Sequence, residues 1–211
     1  MNKTIGTILG IAAVAIVGAQ EAPRPDALEL YRGGQYAAAV EVTLSEIEEN
    51  PANLDAYTVL GWSLNALNRY EDALSYGQQG LRVSRFDHRI IQIVGEAHYN
   101  LGNRVESLQY FEDYAAIAPN GSFIDEVYFL MGEVLYGLEE YHRADIALTS
   151  AVLLADQRGN PRAFWWELLG QARESGGSTD AAREAYVRAV QLNPNAQQAA
   201  AGLLRLQQEP S

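Results

Sequence analysis

The sequence predicts an all-α fold in which antiparallel helix pairs are stacked along the chain. Apolar residues recur at offsets of three, four and seven, which is the spacing of one helix face. Short segments rich in glycine and asparagine separate the helical stretches. A pair formed by an apolar residue and a glycine returns at intervals of 34, 37 and 38 residues, at Leu60-Gly61, Val94-Gly95, Met131-Gly132 and Leu169-Gly170. A period of this length is typical of a repeat protein whose unit is one helix pair.

The opening helix of each unit is defined by residues around this glycine. Four positions before the glycines stand large apolar side chains, at Tyr57, Ile91, Tyr128 and Trp166. In the first three units, the position three residues after the glycine is Leu64, His98 or Leu135. These positions share one face, so each unit is predicted to open with an amphipathic helix.

A second helix is predicted after a short turn. The turns contain helix-ending residues, at Arg32-Gly33-Gly34, Asn65 to Asn68, Leu101-Gly102-Asn103, Gly137-Leu138 and Ser175-Gly176-Gly177. Small residues then recur at Ala39, Ala73, Ser107, Ala144 and Ala182, and Thr43, Gly77, Phe111, Leu148 and Tyr186 follow four positions later. Small residues at a fixed place on consecutive helices allow close packing of the two helices.

This order of large apolar, Leu-Gly, aromatic, Ala and Pro positions resembles the tetratricopeptide repeat, a unit of 34 residues. Pro51, Pro119 and Pro194 stand where that family closes its second helix, and Tyr36, Tyr70 and Tyr141 stand at its turn. The resemblance covers residues 25–196 and places Trp166 at the core tryptophan position of the family. It implies a right-handed superhelical solenoid of about five units, at 25–53, 54–87, 88–121, 125–158 and 163–196, with a capping helix and tail at 197–211.

The N-terminus has the pattern of an export signal. Lys3 is followed by an apolar run from Ile5 to Gly18. The end of this run, Val17-Gly18-Ala19, has the pattern of a small-residue cleavage site. The run is shorter than the roughly 20 residues that span a bilayer. We therefore expect residues 1–19 to be a signal peptide and 20–24 a linker, with an inner-membrane anchor facing the periplasm as the alternative.

Composition excludes several classes of function. The formal net charge of −12 argues against a nucleic-acid partner. There is no cysteine, so disulfides and thiolate metal sites are excluded. Lys3 is the only lysine, which removes any GxxxxGK[ST] phosphate loop, and no other catalytic motif is present. The three histidines have no metal-binding spacing. We expect no catalytic residue, metal or cofactor.

A stripe beside the predicted core face of the opening helices is the candidate binding site. In the family that the sequence resembles, this stripe lines a concave groove in which peptides bind. Here it comprises Trp62, Asn65, Arg89, Gln92, Glu96, Tyr99, Glu126, Phe129, Glu133, Tyr136, Phe164, Glu167 and Gln171, with Glu174 beyond them. Aromatic, acidic and amide side chains alternate, which favours a basic or amphipathic partner. Alternatively, the aromatic side chains, Trp62 included, pack between neighbouring opening helices.

Three functions are compatible with this sequence. The first is a noncatalytic interaction scaffold of the periplasm or cell envelope that binds a protein or peptide in the groove. The second is a structural subunit of an envelope or transport complex that docks through helix ends or self-associates, so an oligomer is possible. The third, an enzyme or small-ligand carrier, requires a closed pocket that no motif indicates.

Overall fold

A computed structural model describes residues 25–208, which form eleven helices and no strand. The predicted signal peptide at 1–19, the linker at 20–24 and the last three residues lie outside the described range. The helices are α1 Ala27–Arg32, α2 Tyr36–Glu49, α3 Leu54–Ala66, α4 Tyr70–Val83, α5 His88–Asn100, α6 Arg104–Ile117, α7 Ile124–Gly137, α8 Tyr141–Gln157, α9 Ala163–Ser175, α10 Thr179–Leu192 and α11 Gln197–Gln208. The predicted all-α solenoid is confirmed, and α11 is the predicted C-terminal helix.

The helices are stacked in chain order, and each packs against the next one. The odd-numbered helices also contact one another, α1 with α3, α3 with α5, α7 with α9 and α9 with α11. The described even-numbered helices make no comparable contacts with one another. Because neighbours are closer on the odd-numbered side, that side is the concave face. The candidate stripe lies on it.

Close packing between neighbouring helices explains the repeated glycines. A Cβ atom on Gly61 would lie 2.6 Å from the side chain of Ile93, and one on Gly132 would lie 2.4 Å from Leu148. Gly95 and Gly170 are similarly close to Phe111 and Tyr186. All five predicted small residues of the second helices are fully buried. The sequence-based assignment of close-packing positions is therefore confirmed.

Each opening helix ends in the same turn. A residue with positive φ lies two positions after the helix, at Gly34, Asn68, Gly102, Glu139 and Gly177. The next backbone N–H then donates to a carbonyl of the last helical turn, as from Glu140 to Leu135 at 2.9 Å. In the fourth turn, predicted at Gly137-Leu138, the left-handed residue is neither of these two. Gly137 is still helical, and Glu139 takes the left-handed conformation with a φ of 62°.

The fifth opening helix differs from the sequence-based assignment at its tryptophans. Trp165 is 1% exposed, whereas Trp166 is only partly buried. The position five residues before the glycine is buried in every unit, at Ala56, Ile90, Val127 and Trp165. This position faces a neighbouring opening helix, so a large ring there fills the space between α7 and α9. The assignment of the core position to Trp166 is therefore corrected to Trp165.

Within residues 25–208, seven arginine–carboxylate pairs link residues about one repeat apart, and we call them the arginine ladder. They are Arg89 with Asp55, Arg143 with Glu112, Arg158 with Asp125, Arg162 with Glu126, Arg173 with Asp145, Arg188 with Asp156 and Arg205 with Glu174. The members of a pair are separated by 28 to 36 residues. Partly exposed ion pairs of this kind are worth about 0–1 kcal/mol each. Six of the pairs join neighbouring parts of the stack, whereas Arg158 and Asp125 belong to the same helix pair, α8 and α7.

Candidate functional site

Five residues of the predicted stripe meet at one cavity on the concave face. Trp62 and Asn65 come from α3, Gln92 and Glu96 from α5, and Glu126 from α7. The cavity has a volume of about 310 Å³ and is also lined by Tyr31, Ala66, Tyr70, Asn100 and Phe123. We call the space bounded by these ten residues the groove pocket. Bringing together residues from three units is what a binding site on a solenoid requires.

The groove pocket lies beside the junction between the opening helices α5 and α7. Among the described helices, α5 and α7 make fewer close contacts than the other neighbouring pairs of opening helices. The loop between α6 and α7 contains the insertion around Pro119, and it brings Phe123 to the pocket. Arg158 fixes this loop by donating to the carbonyl oxygens of Gly121 and Ser122, each at 2.8 Å. The inserted residues therefore supply part of the wall of the groove pocket.

Three aromatic rings form the wall of the groove pocket. The centroid of Trp62 is 5.6 Å from that of Tyr31 and 6.3 Å from that of Phe123. Trp62 is partly buried, and it both packs against α1 and borders the cavity. The two alternatives for this residue, groove wall and packing between helices, thus both hold in part. Tyr31 and Phe123 were not among the predicted site residues.

The polar floor of the groove pocket is centred on the Glu96 carboxylate. Gln92 Nε2 donates to one of its oxygens at 2.6 Å, and Asn65 Nδ2 donates to the other at 3.4 Å. Asn65 Nδ2 also donates to the carbonyl oxygen of Ile93 at 3.2 Å. The two amide oxygens, Gln92 Oε1 and Asn65 Oδ1, are buried and have no hydrogen-bond partner. The floor therefore presents acceptors.

Burial raises the pKa of Glu96 above its usual value, and the nearby charge of Glu126 raises it further. The hydrogen bonds from Gln92 and Asn65 oppose this shift. The other titratable or charged groups around Glu96 are Tyr31 on α1, Tyr114 on α6 and Arg162, which pairs with Glu126 at 2.8 Å. The negative charge of Glu96 is thus held in the pocket at a cost in free energy.

Replacing Glu96 with glutamine is expected to raise the melting temperature at pH 7 by about 2–4 °C. The folded-state pKa is higher than the usual 4.5. Between pH 4.5 and the folded-state pKa of Glu96, the folded protein therefore binds more protons than the unfolded chain. Its free energy of unfolding falls as the pH rises through this range. The variant escapes this loss, so the difference should disappear below about pH 4.5, as measured by circular dichroism melts across pH. Glu41→Gln, an exposed change on α2, is the control. A difference that persists at low pH would contradict this explanation.

Further along the concave face, Phe129 packs α7 against α9, and Phe164 borders the same group of rings. The Phe129 ring stacks on Trp165 with centroids 4.8 Å apart and an interplanar angle of 8°. Arg162 lies over the same indole, 4.8 Å from the Trp165 centroid. Phe164 is 54% exposed and meets Phe129 edge-on at 5.3 Å. Of these predicted site residues, only Phe164 presents a large apolar surface to the groove.

The C-terminal part of the stripe forms a second, more polar cavity of about 420 Å³. Tyr136, Gln171 and Glu174 line it together with Arg205. Two nitrogens of the Arg205 guanidinium, Nε and Nη2, donate to the Glu174 carboxylate at 2.9 and 2.8 Å. This pairing lowers the pKa of Glu174. The negative charge in this cavity is therefore already compensated within the chain.

Other predicted site residues have structural partners. Arg89 donates to Asp87 and Asp55 at the edge of the face. Glu167 accepts the backbone N–H of Ala199 at 3.3 Å, so it caps the start of α11. Tyr99 is close to Glu133, and burial together with this carboxylate raises the pKa of Tyr99 to about 12. Within residues 25–208, the buried polar atoms of the stripe that have no partner are therefore those of the groove pocket.

The histidines and carboxylates give no sign of a metal site in the described part of the chain. Within residues 25–208, no group of three or more such side chains is placed to hold an ion. His98 is buried, its ring stacked on Tyr110 with centroids 5.4 Å apart. Burial lowers its pKa, which favours the neutral form. Over the same residues, no helix is long and apolar enough to cross a membrane.

Comparison with known proteins decides the nature of the units. Residues 26–87 and 166–196 match family models described as tetratricopeptide repeat. These two segments are tetratricopeptide repeats. No curated protein matches the sequence significantly. Between the two matched segments, the tetratricopeptide geometry continues with the same closely packed glycines, at Gly95 and Gly132.

Solved tetratricopeptide structures have the same fold. A crystal structure of MamA superposes with a TM-score of 0.68 at 15% identity, covering 79% of this chain and 94% of that one. YrrB, described as a tetratricopeptide protein with an unusual peptide-binding site, gives 0.68 at 16% identity and covers 83% and 87%. A thermophilic tetratricopeptide protein from Thermus thermophilus gives 0.57 at 20% identity and covers 86% and 95%. At these identities the likeness establishes the tetratricopeptide solenoid fold.

Proposed function

We propose that this protein is a noncatalytic interaction scaffold that binds a peptide or protein segment along its concave face. The observation that carries the proposal is the groove pocket, in which rings from α1, α3 and the loop before α7 surround an acidic floor. Tetratricopeptide proteins are generally interaction scaffolds, and YrrB is described as having a peptide-binding site. Export to the periplasm or cell envelope is part of the proposal and rests on the pattern of residues 1–19.

The proposed partner segment is basic or amphipathic. The net charge of the chain is −12, and Glu96 and Glu126 both line the groove pocket. Apolar side chains of a partner would be accommodated by Trp62 and by the exposed ring of Phe164. Complementary charge accelerates association and rejects partners of the wrong sign, while buried aromatic contacts supply most of the affinity.

We expect peptides of net positive charge to be captured in preference to peptides of net negative charge and equal apolar content. Trp62→Ala should weaken capture about tenfold or more, because it removes the central ring of the wall. Phe86→Ala is the matched control, since Phe86 is 66% exposed and lies outside the groove. Binding would be measured on a peptide array and by fluorescence anisotropy, with circular dichroism to verify helicity. Equal capture of both charge classes, or equal loss in the two variants, would refute the proposal.

A second candidate function is docking through other helix surfaces, as a structural subunit or by self-association. Its support is a set of exposed apolar side chains on the second helices and on α11, including Val105, Ile146 and Leu204. Such side chains are often covered in an assembly. Size-exclusion chromatography with light scattering distinguishes the two functions. A stable oligomer that Ile146→Asp dissociates would favour docking over peptide capture.

A further inference from the structure

We propose that the groove pocket receives the charged end of one lysine or arginine side chain from the bound segment. This inference rests on the proposed function, because it assumes that a peptide segment lies along the concave face. It adds the chemistry of the anchoring side chain and the residues that recognise it. Three features of the molecule support it. The pocket floor contains buried acceptor oxygens that lack hydrogen-bond donors, its wall is made of aromatic rings, and three other carboxylates of the chain are paired with arginines.

Glu96 differs from three shielded carboxylates in the described part of this protein. Asp87, Asp125 and Glu174 have little exposed side-chain surface, and each of them pairs with an arginine. Among residues 25–208, Glu96 has no arginine within ion-pair distance, and Arg162 pairs instead with Glu126. These three carboxylates are thus neutralised from within the chain, whereas Glu96 is not. A cation from a partner would complete the same arrangement.

The amides beside Glu96 indicate the charge of the missing group. Gln92 is only 3% exposed, and both it and Asn65 use their N–H groups on the Glu96 carboxylate. Their oxygens remain buried without a donor. A buried acceptor that lacks a donor is costly, so such atoms usually mark a missing partner. An ammonium group offers three donors and a guanidinium five, and neither carries an acceptor.

The wall of the groove pocket suits the rest of such a side chain. Lysine and arginine have long apolar stems that pack on aromatic rings while their charged ends reach polar groups. Tyr31, Trp62 and Phe123 supply these rings, and their faces attract cations. Trp62 Nε1 is also buried without a partner. A backbone carbonyl of the same bound segment is the acceptor that would satisfy it.

The test uses small probes with the full chain, so that only the side chain varies. The probes are the Nα-acetyl methylamides of lysine, arginine and norleucine, the last being an uncharged analogue of lysine. Binding would be followed by NMR through the indole N–H signal of Trp62 and the side-chain amide signals of Asn65 and Gln92. We expect the lysine and arginine probes to shift these signals at millimolar concentration and the norleucine probe to leave them unchanged.

Variants identify the carboxylate that is responsible. Glu96→Gln keeps the size of the side chain and is expected to weaken binding of the lysine probe about tenfold, because it removes the charge. Glu41→Gln makes the same chemical change at an exposed position on α2, outside the concave face, and should leave the affinity unchanged. Equal binding of the norleucine probe, or equal loss in the two variants, would overturn the inference.

The two proposals fail in different ways. If basic peptides are captured through Trp62 but Glu96→Gln does not affect them or the lysine probe, the proposed function stands and the cation pocket is rejected. If the lysine probe binds through Glu96 but no peptide is captured, the pocket stands and the scaffold function is rejected.

Discussion

Replacing Trp165 with alanine is expected to lower the free energy of unfolding by about 3–5 kcal/mol, the usual cost of removing a buried large ring. The side chain is 1% exposed and lies where α7 and α9 meet. The change would remove the stacking contact with Phe129 at 4.8 Å and the edge contact with Phe164 at 6.1 Å. It would also leave a cavity between two adjacent units, and in a solenoid each unit is stabilised mainly by its neighbours.

The measurement is urea unfolding followed by circular dichroism, with Trp166→Ala as the matched control. Trp166 is adjacent in sequence but only partly buried, so its loss should cost distinctly less. The comparison also tests the core assignment, since the sequence pattern places the core tryptophan at 166. A larger loss of stability for Trp166→Ala than for Trp165→Ala would show that Trp166, and not Trp165, is the core tryptophan.

Replacing Gly170 with alanine is expected to destabilise the protein by about 2 kcal/mol, although alanine is the better helix former. A Cβ atom there would lie 2.5 Å from two carbons on one edge of the Tyr186 ring. The ring has little room to shift, because its other edge packs against Gly202 of α11, where an added Cβ atom would lie 2.3 Å from the ring. Tyr186 is fully buried between the two glycines.

Gly137→Ala is the control for this substitution. Gly137 is exposed at the end of α7, and a methyl group there meets only the end of the Arg104 side chain, at 3.3 Å. The higher helix propensity of alanine should make this change neutral or slightly stabilising. Thermal melts of the two variants should therefore differ, with a clear loss of stability only for Gly170→Ala. A loss of stability at both positions would indicate a general intolerance of alanine in these helices rather than a clash with Tyr186.

Much of this architecture could be predicted from the sequence because it depends on local chemistry. Helix pairs follow from the spacing of apolar residues, and the left-handed turns follow from residues such as Gly34, Asn68 and Gly102. The exception at Glu139 shows that the geometry of the repeat can impose a left-handed conformation on a residue that seldom adopts it. Here tertiary packing outweighs the local preference.

The candidate site was predicted less completely, for two physical reasons. Adjacent helical positions differ by about 100° in direction, so an error of one residue exchanges a buried ring for a partly exposed one, as at Trp165 and Trp166. In addition, Tyr31 and Phe123 reach the groove pocket from α1 and from an inserted loop, outside the periodic stripe. The pattern of one helix does not reveal which remote side chains approach it. The unusual length of the 119–123 insertion was the available signal for Phe123.

The arginine ladder has a mechanical consequence. Most of its pairs reach from one unit to the next, as Arg143 does from the start of α8 to Glu112 on α6. A pulling force on the two ends would therefore be transmitted from one junction to the next, with each junction carrying the full tension. The junctions therefore act in series, and the weakest of them would open first under tension. At the junction between α5 and α7, where neighbouring opening helices of the described chain contact each other least, the pair of Arg143 with Glu112 bridges the two units. The groove pocket, lined by residues of both helices, borders this junction.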